Sequence, residues 1–250
     1  MRFLLGFILL LVSISLSAER TLTILVGMDK PPYIQLQDGT GFELELLREV
    51  SRKMGYEAVY LHVPNARIRY LLEQGHGDVA TLQRPSGEPS TLYYSQPYVR
   101  YQNAVISLRE RELVIQHPQD MQPLRVTAFQ NAHFVLGPDF QSMAQSSSRY
   151  QETTNQQTQV SLLLAGRIDA AVMDINIFHY FRRVSGDNQP IQLHTIFPPS
   201  DYRAVFREQS LQQAFDRAMH AFMTSPDYSR LQLEFFGSVN QYQLAPLSTE

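Results

Sequence analysis

The 250-residue chain carries a net charge of −3, and its only lysines are Lys30 and Lys53. Its basic residues are scattered, which excludes the clustered positive surface that binds nucleic acid or an anionic membrane. It has no cysteine, so disulfides and thiolate metal sites are excluded and packing alone must hold the fold.

Arg2 precedes an apolar run from 3 to 16, with small residues at Ser15, Ser17 and Ala18. This is the layout of a cleavable secretory signal. The run is about 14 residues, short of the ~20 that cross a bilayer as a helix. Segment 1–18 is therefore expected to be removed, and with no cysteine after it no lipid anchor is expected.

Residues 21–26 are short, apolar and β-branched, and predict a strand. A loop punctuated by Pro31 and Pro32 follows. Thr40 and Glu43 have the spacing of a capping box. Phe42, Leu46, Leu47, Val50 and Met54 then repeat at helical spacing up to Gly55, with Glu43, Glu45 and Glu49 expected on the solvated face. Strands are predicted at 58–63 and 78–82, with a helix at 65–74 between them. Further on, strands at 124–128, 150–153, 168–173, 191–196 and 203–207 alternate with helices at 132–145, 155–165 and 174–184. Two helices close the chain, the first capped by Ser210 and Gln213 and the second started by Ser225-Pro226. Alternating strands and helices favour parallel sheets covered by helices.

One pattern occurs twice. Leu71-Leu72-Glu73-Gln74-Gly75-His76-Gly77-Asp78-Val79-Ala80 matches Leu162-Leu163-Leu164-Ala165-Gly166-Arg167-Ile168-Asp169-Ala170-Ala171. Each is a helix end, a glycine stop, an aspartate and a buried strand. Asp78 and Asp169 are expected to tie these turns. The simplest account is two lobes of similar architecture; the alternative is that helix-to-strand turns resemble each other by their geometry alone. Ligands of open α/β sheets gather beyond the carboxyl ends of the strands, which directs attention to 28–33, 64–67, 83–84, 129–133 and 173–174.

The segments Gly27-Met28-Asp29-Lys30-Pro31-Pro32-Tyr33 and Gly39-Thr40-Gly41-Phe42-Glu43-Leu44-Glu45-Leu46 resemble the opening of the bacterial extracellular solute-binding proteins, family 3. Gly75-x-x-Asp78, Tyr94-Ser95-Gln96-Pro97-Tyr98 and the segment from Gly166 to Asp174 follow in that family's order. The resemblance implies an α/β, two-lobed periplasmic-binding-protein-like fold (type II), each lobe a sheet flanked by helices, with two hinge crossings near 105–109 and 199–204. Lobe one would comprise 19–107 and 204–250, and lobe two 108–203. It implies a periplasmic protein that closes on a small polar ligand, an amino acid or a related compound, and hands it to an ABC permease of the inner membrane as a monomer without cofactor. Two alternatives are a periplasmic sensing module and a dehydratase-like enzyme on the same fold.

The strand ends and the resemblance together nominate ligand-binding residues: Asp29, Tyr33, Arg67, Gln83, Arg84, Asn131 and Asp174. The family's Thr-x-x-Arg segment, whose arginine holds a ligand carboxylate, is about two residues short here, and its arginine position falls near Glu88; Arg84 is the substitute. The family's Gly-Thr or Gly-Ser at a lobe-two helix start is replaced by Phe129-Gln130-Asn131-Ala132-His133. Asp174 fits the family's ammonium-binding position, and equally the N-cap of the following helix. The seven histidines have no metal-ligand spacing, and no nucleophile elbow, Walker loop or dinucleotide fingerprint occurs. The remaining catalytic reading would bring His133, His179 and Asp174 together as acid and base. The chain is read as a binding protein, not an enzyme.

Overall fold

The computed structural model describes residues 20–85, 91–239 and 241–244. The signal expected at 1–18 and the position near Glu88 lie outside the described residues. The described strands form two five-stranded sheets.

In the first sheet, β1 (Arg20–Val26) lies between β2 (Tyr56–His62) and β3 (Val79–Gln83), parallel to both. Beyond β3 come β10 (Ser200–Phe206) and β4 (Tyr93–Tyr101), giving the order β2-β1-β3-β10-β4. β10 is antiparallel to both of its neighbours. The second sheet repeats the plan as β7-β6-β8-β5-β9. Here β6 (Val126–Phe129) lies parallel to β7 (Tyr150–Thr153) and β8 (Ala170–Asp174). The antiparallel strand is β5 (Asn103–Leu108), paired with β8 and β9 (Ile191–His194).

The first crossing between sheets falls at Gln102, earlier than the expected 105–109. β5, assigned in large part to lobe one by the boundary at 107, pairs wholly within sheet two. All six of its residues are buried, as in a central strand, so apolar patterning does not reveal where one ladder ends and the next begins. The return crossing lies between β9 and β10. The predicted elements include no strand over 93–101, and Pro97 lies inside β4. β4 is an edge strand paired only with β10, where a missing N–H is tolerated.

The helices follow their apolar faces. α1 (Phe42–Lys53) buries Phe42, Leu46, Leu47 and Val50. Its expected capping box is absent: Gly41 is the N-cap without a side-chain bond, and the Thr40 hydroxyl donates to Glu45 instead. Glu43, expected on the solvated face, is fully buried and accepts a 2.5 Å hydrogen bond from the Tyr98 hydroxyl. α2 (Asn65–Glu73) buries Ile68 and Leu72. The helix expected at 132–145 is two, α3 (Ala132–Val135) and α4 (Pro138–Ser146), divided at Gly137-Pro138 because proline opens a helix more readily than it continues one. α5 (Gln156–Leu164) is capped by Asn155, which accepts from Thr158 N. α6 is Ile175–Ser185. α7 (Gln209–Met223) starts after Glu208, so Ser210 lies inside it rather than capping it. α8 (Pro226–Phe236) begins with Pro226 in its first turn after Ser225.

One apolar cluster draws residues from both sheets, among them Leu22 and Phe206 from the first and Ala104 and Met173 from the second, with Phe178 of α6 and Phe235 of α8. Each sheet packs its opposite face into a core of its own. The lobes thus share apolar packing on one side and part on the other.

Candidate functional site

Where the lobes part, a cavity of about 590 Å³ opens between them. Its walls are the carboxyl ends of strands in both sheets: Met28, Asp29 and Lys30 after β1, Pro64 to Ala66 after β2, Phe129 to Asn131 after β6, Thr153 and Thr154 at the end of β7, and Asp174 at the end of β8. Tyr101, Asn103 and Tyr202 line it from the crossings. Gly27 brings the β2 wall close: a Cβ there would lie 2.6 Å from Asn65 Oδ1.

Of the nominated residues, Asp29, Asn131 and Asp174 line this cleft. Asp29 is exposed at its mouth, and its Oδ1 accepts from Leu36 N at 2.9 Å. The other four lie elsewhere. Arg67 is exposed on α2 beside the lining. Gln83 folds back to donate to Thr81 O at 2.8 Å. Arg84 is exposed, with its guanidinium 5.8 Å from the Tyr202 ring centroid. Tyr33 is completely buried behind the cleft.

Tyr33 belongs to a polar knot that joins the lobes. Its hydroxyl donates to Asp174 Oδ1 at 3.2 Å and accepts from Asn176 Nδ2 at 2.9 Å and Gln243 Nε2 at 3.3 Å. Asp174 Oδ1 also accepts from Asn176 N and Ile177 N, which is the N-cap of α6. Asp174 Oδ2 accepts from Gln102 N at 2.9 Å, at the point where the chain changes sheets. Asp174 thus accepts four hydrogen bonds, three at Oδ1 and one at Oδ2. Burial pushes its carboxyl up to about 6 against the pull of those donors.

Across the cleft, the loop before α3 is engaged by its own chain. Glu152 of β7 accepts from Asn131 N at 2.7 Å, His133 N at 3.1 Å, His133 Nδ1 at 2.6 Å and the Tyr150 hydroxyl at 2.7 Å. Burial opposes its charge, but these donors hold the carboxyl down at about 2. The backbone N–H groups of Asn131 and His133 already carry an anion. The three catalytic candidates do not meet: His133 faces Glu152, whereas His179 lies in a separate recess with Ile175, Asn176 and Phe236.

Sequence reasoning missed Lys30, Asn65, Tyr101, Asn103 and Tyr202 as lining residues. Lys30 was within reach of the strand-end rule, being inside 28–33. Its ammonium sits 5.1 Å from the Tyr101 ring centroid. Among the described residues, no hydrogen bond or ion pair engages it. Burial lowers its pKa, while Glu43 and then Asp174 pull the other way. Among the described residues, no group of three His, Asp or Glu is placed to hold a metal ion.

Twin sheets whose parallel strand ends confront one another over a polar cleft define the two-lobed binding-protein class. Residues 22–238 match the profile of the bacterial extracellular solute-binding proteins, family 3, and the chain belongs to that family. A search of curated protein sequences gives no match. Among solved structures, the chain is similar to the GluR0 ligand-binding core in complex with L-glutamate, at 18% identity and a TM-score of 0.69, covering 88% of this chain and 100% of that one. A histidine kinase sensor domain with similarity to periplasmic binding proteins aligns at 18% identity and TM-score 0.67 over 88% and 97% of the two chains. The substrate-binding protein of an ABC uptake transporter from Streptococcus pneumoniae, with bound histidine, aligns at 15% and 0.66 over 88% and 94%.

Proposed function

We propose that this protein, secreted to the periplasm, captures a small polar ligand in the interlobe cleft and delivers it to an ABC permease. The observation that carries the reading is the cleft itself, with polar side chains presented from strand ends of both lobes and room for a small metabolite. The proposed contacts are Asp29, Lys30, Asn65, Asn103, Asn131 and Tyr202. Tyr33 and Asp174 set the relative position of the lobes, and the expected lobe division moves to Gln102. Binding without turnover is the favoured chemistry, since His133 is tied to Glu152 and Asp174 is committed to the hinge through Tyr33, Gln102 and the N-cap of α6. One neighbour places the same fold in a histidine kinase sensor domain, which supports presentation to a signalling partner as the second reading.

Thermal-shift screening of small polar metabolites tests capture. A ligand at about 100 times its dissociation constant stabilises the fold by about 2.7 kcal/mol. A screen without a single shift overturns the proposal. Uptake of the labelled ligand, lost on deleting this gene, separates transport from sensing.

A further inference from the structure

We infer that the ligand is a small organic anion without an ammonium group, and that Lys30 is its anchor. The inference rests on the capture reading and names the chemistry of the same cleft.

Two observations carry it. The first is a cation that no carboxylate contacts among the described residues, although Glu43 and Asp174 act on it from a distance. Among the described residues, Lys30 is the one lysine or arginine lining the cavity, and no ion pair or hydrogen bond there holds its ammonium. Its stem lies half-buried with the head near Tyr101. A charge held at the edge of a low-dielectric cleft is stabilised strongly by an anionic group that shares its desolvation. The second is the absence of an equally available anion. Asp174 is buried at 2% exposure and already held by Tyr33, Asn176 and Ile177 at Oδ1 and by Gln102 at Oδ2. An ammonium could replace none of these donors without stranding a buried N–H or O–H. Asp29 remains, but it is exposed at the mouth, where screening weakens a single ion pair. The anion also has no competing berth in lobe two, because Glu152 occupies the loop N–H groups of Asn131 and His133. The remaining walls suit the rest of such a molecule: Tyr101, Tyr202, Phe129 and Ile177 for carbon, Asn65 and Asn103 for hydroxyl or carbonyl groups.

The test is a thermal-shift and calorimetric screen of the secreted chain at neutral pH. The library holds aliphatic, hydroxylated and aromatic carboxylates, each beside its 2-amino counterpart and the corresponding amine without a carboxylate. Binding confined to the carboxylates, about thirtyfold or more weaker in Lys30→Met and retained in Lys30→Arg, is the expected result. The unliganded melting temperature of Lys30→Met controls for folding. Preference for amino acids or amines, or undiminished binding by Lys30→Met, overturns the assignment of the anion while leaving capture intact. Silence of the whole library overturns both.

Discussion

The two lobes share their corners and differ at their clefts. In lobe one, Asp78 N donates to Thr23 O and Asp78 Oδ2 accepts from Thr23 N. In lobe two, Asp169 N donates to Arg125 O and Asp169 Oδ2 accepts from Arg125 N. Gly75 and Gly166 precede them with φ of 83° and 66°, the left-handed stop that glycine adopts without strain. An arginine stands over each glycine, Arg207 over Gly75 and Arg111 over Gly166, and each reaches toward the aspartate. The facing strand ends show no such repetition. Lobe one leaves Lys30 unpaired, whereas lobe two fills its loop with Glu152 and spends Asp174 on the hinge. The corner is fixed by helix-to-strand geometry, which is the same problem in both lobes, whereas the cleft answers to whatever enters it.

The largest expected effect breaks the asymmetry at the hinge. Asp174→Ala strands Gln102 N, Asn176 N, Ile177 N and the Tyr33 hydroxyl, all buried, and removes the cap of α6. A loss of about 3 kcal/mol or more is expected in urea unfolding. A loss below about 1 kcal/mol would show that the lobes do not depend on this knot.

The corners give the next contrast. Asp169 adds a two-pronged bond to Arg125, at 3.1 Å from Nε and 2.7 Å from Nη2, whereas Arg207 stays 3.8 Å from Asp78. Asp169→Ala is expected to cost about 2 kcal/mol and Asp78→Ala about 1 kcal/mol by the same measurement. Equal losses would assign the corner's stability to the shared backbone bonds alone.

The glutamates of the two lobes respond to pH with opposite sign. Burial pushes Glu43 up to about 7, above its ordinary 4.5. Its contribution is therefore fully present below pH 4.5 and is lost as pH rises through 7. Glu152 is held down at about 2. Its contribution is present above pH 4.5 and is lost as pH falls toward 2. Glu43→Gln should flatten the decline in melting temperature between pH 5 and 8, and Glu152→Gln should lower the melting temperature more at pH 7 than at pH 3. The reverse pattern would mean the two carboxylates have been assigned the wrong environments.

This contrast also marks what the sequence could convey. The repeated corner was legible because helix end, glycine, aspartate and strand are local features with fixed spacing. The facing strand ends were legible for the same reason, and they bounded the stretch that contains Lys30. Glu43 was misread because periodicity put it beside Glu45 and Glu49, and only the distant Tyr98 explains why it turns inward. Tyr33 was misread because the partners that bury it lie at 174, 176 and 243. Each failure is a pairing across more than 50 residues, which no local pattern encodes.

Arg84→Ala is expected to have the smallest effect, and it sharpens the comparison most closely at the ligand. As a substitute for the family's missing arginine, Arg84 would be a buried, paired contact worth about 2 kcal/mol. Here it is exposed and rests against Tyr202, outside the residues that line the cleft. An exposed cation beside an aromatic ring contributes about 0.5–1 kcal/mol. The substitution should therefore weaken ligand binding less than about fivefold, against about thirtyfold for Lys30→Met, measured by calorimetry on the same ligand. If the order of the two variants were inverted, the anchor of lobe one would lie after β3 rather than after β1, and closure of the lobes would have to carry Arg84 past Tyr202 into the cleft.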